Sequence, residues 1–211
     1  MNLLIVGAGG MGREIFCWLQ QEIKGKNDHR IVGFLDDDLS ALDNYSYPVK
    51  IVGSITDYQP KVGESLVLAV MSPKVKKDIV SMLVAKGAEF YTLIHPSVIV
   101  GYNVKINKGC VVAPLCILTA DIVIGGFVFL NANTTIGHDV VVKKYCSING
   151  KAEVSGNVTI GANCLMGVGA KIIPKRNIGD YVTIGAGSVV IRHVRNNASV
   201  FGNPAKEIIT Q

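Results

Sequence analysis

The chain has 211 residues and a net charge of +5, with 49% hydrophobic and 18% charged residues. That is enough apolar material for two compact cores, and it excludes a disordered polyelectrolyte. No stretch reaches the 18 uninterrupted apolar residues of a membrane span, and the run from Leu3 to Gly10 is too short, and lacks the preceding basic region, for a secretory leader.

In chain order, Asn2 to Val6 is an aliphatic run that leads into Gly7, Gly9 and Gly12 of G-A-G-G-M-G. Met11, Ile15, Leu19 and Ile23 then recur at helical spacing, with Phe16 and Trp18 beside them. Arg30 to Leu35 reads as a strand ending in Asp36, Asp37 and Asp38. Strand, glycine turn, helix, strand and acidic end together form the dinucleotide fingerprint. Only about ninety residues belong to this part, enough for one half of a doubly wound fold. A site for one nucleotide or sugar phosphate, with backbone amides at a helix start, therefore fits better than a whole dinucleotide. Tyr45 to Lys50 reads as a loop, Ile51 to Gly53 as a short strand or turn, and Leu66 to Val70 as a buried strand. Ser72 caps a helix that opens at Pro73, with Val75, Ile79, Met82 and Leu83 as its apolar residues. Phe90 to Ile94 is a last strand that feeds His95-Pro96. The expected division is a small α/β domain over residues 1–92 and a second domain over 93–211.

The second domain follows one rule. From Ile94 to Val190 every sixth residue is aliphatic or Met, and a second track four residues later is mostly small or β-branched, broken only by Arg176. Neither a helix nor a two-faced strand has a period of six. A parallel β-helix does: one hexapeptide per side, eighteen residues per turn, three sides. Three residues after each aliphatic stop the chain must turn a corner, and Asn103, Gly109, Asp121, Asn133, Asp139, Asn157, Asn163, Gly169 and Gly187 are types that tolerate positive φ. Four of the five cysteines (Cys110, Cys116, Cys146 and Cys164) fall on the small inward track, so they read as buried apolar residues in a reducing, cytoplasmic setting, with no disulfide framework or metal. Charge is divided: up to Phe90 ten basic residues face eleven acidic ones, whereas from Tyr91 onward eleven face five. A basic prism suits an anionic ligand. Its scattered lysines and arginines, without interleaved aromatics, do not suit nucleic acid.

Hexapeptides such as I-G-A-N-C-L and I-G-D-Y-V-T resemble those of the left-handed β-helix acyltransferases. The G-A-G-G turn, F-L-D-D at the second strand and the ending Phe201-Gly202-Asn203-Pro204-Ala205-Lys206 are similar to one branch. It comprises sialic acid O-acetyltransferases and N-acetyltransferases of nucleotide-linked amino sugars. The resemblance implies a left-handed coil, a homotrimer, acetyl-CoA as co-substrate and no metal. It implies N-acetylation of a nucleotide-linked amino sugar for surface glycan assembly, with O-acetylation of a sugar or sialic acid as the near alternative. An NAD oxidoreductase, a γ-type carbonic anhydrase and a non-catalytic scaffold are the remaining readings.

Among the four histidines, His29 reads as a solvated loop residue, His95 as structural and His193 as a surface residue. His138 falls mid-prism in Ile136-Gly137-His138-Asp139, turned outward. Acetyl transfer needs a base with a pKa near neutrality, which imidazole supplies. The resemblance makes His138 that base and Asp139 its orienting partner, in direct transfer without an acetyl-enzyme. It also places Ser147, Gly156, Val168 and Ala186 along the thioester groove, with backbone amides as oxyanion donors. Lys171, Lys175, Arg176, Arg192 and Lys206 become candidates for coenzyme phosphates. On the acceptor side it implies Gly9, Gly10, Met11, Asp36 and Asp37. Two departures stand out: Met11 replaces a frequent histidine, and Ala69-Val70-Met71-Ser72 replaces A-I-G-N.

Overall fold

The computed structural model describes residues 1–208. Its first part is a four-stranded parallel sheet in the order β3-β2-β1-β4, from β1 (Asn2–Val6), β2 (Arg30–Leu35), β3 (Ile51–Gly53) and β4 (Glu64–Leu68). Helices α1 (Gly10–Glu22) and α2 (Pro73–Ala85) belong to the same half. Ile15, Phe16 and Leu19 of α1 pack on Leu3, Ile5 and Phe34. Gly7 takes φ 103°, and a Cβ on Gly12 would overlap Gly7 O, so both glycines are needed for the helix to sit on the turn.

The rest is a three-sided coil of two-residue strands. Phe129 pairs in parallel with Ser147, Thr135 with Glu153 and Val141 with Thr159, each eighteen residues on. Face I runs from Leu93–Ile94 through Thr183–Ile184, face II from Ile99–Val100 through Val189–Val190, and face III from Lys105–Ile106 through Asn177–Ile178. The six-residue track points inward: Ile124, Leu130, Ile136 and Val142 are wholly buried. Each such side chain contributes about 1.5–3 kcal/mol by leaving water. At the C-terminal end Ser199–Phe201 continues face I and Lys206–Ile208 pairs antiparallel to it.

Fifteen successive corners from Asn103 to Gly187, six residues apart, have φ between 54° and 73°. Nine carry the expected Asn, Asp or Gly. The other six are Leu115, Phe127, Tyr145, Lys151, Lys175 and Tyr181, which do not favour this conformation. Packing compensates for some of them. On the edge between faces III and I, Phe127 stacks on Tyr145 with centroids 5.5 Å apart, and Phe90 meets Phe127 edge-on at 5.0 Å. A Cβ on Gly109 would overlap the Phe127 ring, so that corner must stay bare.

Three expectations shift. The strand read as Leu66 to Val70 is Glu64–Leu68, and the strand read as Phe90 to Ile94 is divided into a single bridge at Phe90 and the first coil strand at Leu93. Helix α2 is capped by Ser72 and opens at Pro73, but its buried residues are Lys76, Val80 and Leu83, whereas Val75 is 47% exposed. The buried face is thus one residue around from the most apolar stripe, because α2 must meet both the sheet and the coil.

Lys76 is 1% exposed. Its Nζ donates to Ser147 Oγ at 2.7 Å and to Cys146 O at 3.1 Å, joining α2 to face I. Burial pushes its pKa down to about 7, with only the Cys146 and Cys110 thiols acting in the opposite sense. A lowered folded pKa means that the unfolded chain binds more protons between about 7 and 10.5, so stability rises with pH across that window and the penalty is complete below it. At about 1.4 kcal/mol per tenfold change in proton affinity, the penalty is on the order of 5 kcal/mol. Lys76→Met removes it. Cys146 O keeps its bond from Phe129 N at 2.9 Å, and Ser147 Oγ alone loses a partner. The variant should therefore be more stable at neutral pH by about 1–3 kcal/mol, with the gain shrinking as pH rises. Thermal unfolding followed across the window tests this; a variant less stable at every pH would refute it.

Candidate active site

The edge between faces II and III carries His138, two residues past the inward Ile136. Its side chain is 62% exposed and that of Asp139 is 53% exposed. Asp139 sits at a corner with φ 59°. His138 Nδ1 lies 2.7 Å from Asp139 Oδ2. With the carboxylate ionised, Nδ1–H donates, which leaves the Nε2 lone pair pointing outward as an acceptor.

One turn further on, the same edge presents Gly156. A Cβ there would lie 2.5 Å from His138 Nε2 and 2.6 Å from Cε1, so the imidazole rests on a bare backbone. Ser155 N and Asn157 N on either side donate to Ile172 O and His138 O. Gly156 N has no acceptor among the described residues. A base with a free nitrogen thus lies beside a free amide, the two elements that acyl transfer needs.

The other groove residues are placed differently. Val168 and Ala186 lie one turn apart on the edge between faces I and II, not on the edge of His138. Val168 is 55% exposed, and neither amide has an acceptor among the described residues. Ser147 departs from expectation: it is wholly buried on face I beneath Lys76, and its own amide donates to Cys164 O. It lines no groove on this chain, because α2 covers it.

On the acceptor side, Gly9 caps α1 and a Cβ there would meet nothing within 4 Å, while one on Gly10 would meet only Arg13 at 3.9 Å. That opening at a helix start can admit an anion. Asp36 is already used: Oδ2 accepts from Ala8 N at 2.6 Å and Oδ1 from Asp38 N at 3.0 Å, fixing the glycine turn. Asp37 accepts from Thr56 N at 3.0 Å. Met11 and Met71 both pack against the core cluster of α1 and Phe129, so the departures from His at Met11 and from Gly at Met71 make an apolar wall. Arg13 lies over the Tyr45 ring, 3.6 Å from its centroid.

His95 is structural, with Ser97 Oγ at 2.7 Å, Gln21 Oε1 at 2.9 Å and a pKa lowered by burial. His29 is not simply solvated: it bonds Asp28 and meets Tyr91 edge-on. His193 is exposed and accepts from Asn177 N. Arg192, Arg195 and Lys206 share a cleft of about 520 Å³ at the C-terminal end with Glu207, whereas Lys171 is paired with Glu153. Arg176, which breaks the inward track, leaves Nε buried without a partner among the described residues and turns Nη1 onto Lys175 O. Burial raises the thiols of Cys110 and Cys116 to about 11, whereas the contact between Cys146 and Cys164 raises the first and lowers the second. No three His, Cys, Asp or Glu gather as a metal-binding group among the described residues.

Sequence reasoning missed Lys76 and the Arg13–Tyr45 pair. Lys76 had a signal, since 76, 80 and 83 follow the spacing of a buried helical face; Arg13 had none.

Residues 2–83 match the PglD N-terminal domain family. A GDP-perosamine N-acetyltransferase of Escherichia coli O157:H7 is 30% identical over 148 residues, covering 69% of this chain and 66% of the relative. A UDP-N-acetylbacillosamine N-acetyltransferase of Bacillus subtilis (strain 168) is 32% identical over 115 residues, covering 53% of this chain and 50% of the relative. The chain thus spans about two thirds and half of the lengths of these curated relatives. The acetyltransferase domain of PglB from Neisseria gonorrhoeae FA1090 superposes with a TM-score of 0.88 at 26% identity, covering 98% of this chain and 99% of that one. The same domain has been solved in complex with acetyl coenzyme A. The matched N-terminal domain, the relatives and the superposed coil thus agree, and the chain belongs to the left-handed β-helix acetyltransferase family, in the branch with a PglD N-terminal domain.

Proposed function

We propose that the chain transfers an acetyl group from acetyl-CoA to the amine of a nucleotide-linked amino sugar. The observation that carries this reading is the His138–Asp139 pair, held at 2.7 Å with Nε2 free beside the unbonded Gly156 amide. Names of the relatives support the acceptor class, and the PglB complex supports the donor. In this reading residues 1–92 hold the sugar nucleotide around Gly9, Gly10, Met11, Asp36 and Asp37, and residues 93–211 hold the thioester.

His138 Nε2 takes a proton from the attacking amine as nitrogen bonds to the thioester carbonyl carbon. Asp139 orients the ring and stabilises the imidazolium. Gly156 N–H faces the oxyanion, and the carbon–sulfur bond then breaks to release the coenzyme thiolate, which takes the proton from the His138 imidazolium and restores the base. Val168 and Ala186 offer free amides on a different edge from His138, so one chain does not enclose a thioester arm with all of them. A homotrimer, in which edges of neighbouring copies face each other, would bring them together. Exposed apolar residues along the outer faces, Ile99, Ile117, Val123 and Val141, support such contacts. Arg192 and Lys206 are then the groups for coenzyme phosphates, and the free thiols suit the cytoplasm.

Thiol release from acetyl-CoA, measured against nucleotide-linked amino sugars and free sialic acids, tests the reading. Turnover with an amine acceptor and an amide product is expected; release only with hydroxyl acceptors would overturn it. His138→Ala should lower kcat by about two to four orders of magnitude with the assembly intact, and near-wild-type turnover would reject His138 as base. Gly156→Ala should displace the imidazole from Asp139, seen as a changed Nδ1 signal in nitrogen NMR together with lower kcat. An unmoved signal would show that the ring does not depend on that glycine.

A further inference from the structure

Besides apolar packing, two buried polar side chains tie the α/β half to the coil at opposite ends. Gln21, at the end of α1, bonds His95 on the first turn of the coil. Lys76, at the start of α2, bonds Cys146 O and Ser147 Oγ two to three turns further along. The second contact is the more unusual. A lysine with 1% exposure is costly to bury, and an apolar side chain of similar length would fill the same volume. Its hydrogen bonds reach a backbone carbonyl and a wholly buried hydroxyl, so they fix direction as well as contact.

The start of α2 is also the end of the acceptor wall. Ser72 caps the helix through Val75 N, and Lys76 N donates to Ser72 O at 2.8 Å. Behind Ser72, Ala69 N bonds Val6 O, and Ala69 O lies 3.3 Å from where a Cβ on Gly7 would be. A continuous rigid path therefore runs from the glycine turn through Ala69–Ser72 to Lys76 and the coil. Lys77 adds only an exposed contact of 3.4 Å to Tyr181 OH.

We propose that Lys76 is a positioning residue, which locks the acceptor-binding half to the coil at Ser147 so that the bound sugar and the thioester site keep a fixed separation. This rests on the proposed acetyl transfer. Without the lock, the half is still held at the His95 end and by apolar packing on Phe127, Phe129 and Tyr145, but no buried hydrogen bond then fixes the Ala69–Ser72 wall relative to the coil, and the wall can shift. A displacement of about 1 Å in such a wall can lower the rate a hundredfold.

Lys76→Met keeps the volume and removes the donors. The expected result is a ten- to hundredfold lower kcat/KM for the sugar nucleotide, an unchanged KM for acetyl-CoA, and no loss of thermal stability. Ser147→Ala, which spares the bond to Cys146 O, should show a smaller change of the same sign. Hydrogen exchange of residues 69–76, measured without substrate, should rise in Lys76→Met. Unchanged acceptor kinetics would overturn the proposal, as would a loss of activity that merely follows a fall in Tm. If the wild-type protein acetylates no amino sugar, the functional reading fails by itself, and the exchange measurement then decides the lock: unchanged protection in residues 69–76 overturns it.

Discussion

The parallel ladder that sets each residue in register with the one eighteen further on is the constraint from which the site follows. It places every feature of one turn directly beneath the same feature of the next. Phe127 lies on Tyr145, Val154 on Ile172, and His138 on Gly156. The imidazole is positioned by a coil whose interior is filled with aliphatic side chains, so its pose does not rely on a flexible loop. The glycine beneath it serves twice, as a flat rest for the ring and as a source of an unbonded amide.

The α/β half follows different physics. A four-stranded sheet cannot bury both faces unaided, and its hydrophobic clusters extend onto coil residues Leu93, Val111 and Phe129 on one side and meet Phe127 and Tyr145 on the other. Most of this join is apolar and needs no special residue. Lys76 is the exception, since it accepts a stability penalty where an apolar side chain would cost less. Such a trade is common where a protein holds a site in place.

How much is legible in the sequence follows from which forces are local. The six-residue period defines the inward track, because each hexapeptide repeats the same local demand, and the strand ends Asn2–Val6 and Arg30–Leu35 agree with their sequence limits. The outward direction of His138 comes from the same period. Corners at Phe127, Tyr145 and Tyr181 are hidden, since their left-handed backbones are imposed by the ladder against residue preference. The burial of Ser147 and Lys76 is equally hidden, because it arises between elements seventy residues apart. Asp36 and Asp37 are recognisable as the acidic end of β2, yet their internal bonds to Ala8 and Thr56 depend on the tertiary arrangement. Val168 and Ala186 can be picked out as residues but not as a second edge, which only the three-sided geometry reveals.

The coil also acts as a ruler. His138, Gly156, Pro174 and Arg192 occupy equivalent positions on one edge, separated by whole turns of about 4.8 Å, which sets the basic C-terminal cleft about 14 Å along the axis from the imidazole. Distance along this edge can change only in steps of one strand spacing, since a partial turn would move all later residues to another face. In the proposed reading the length of an arm that reaches from a phosphate anchor to the reacting carbon is therefore quantised by the fold, and lengthening the reach requires a whole further turn, eighteen residues along most of the coil and sixteen from Thr183 to Ser199.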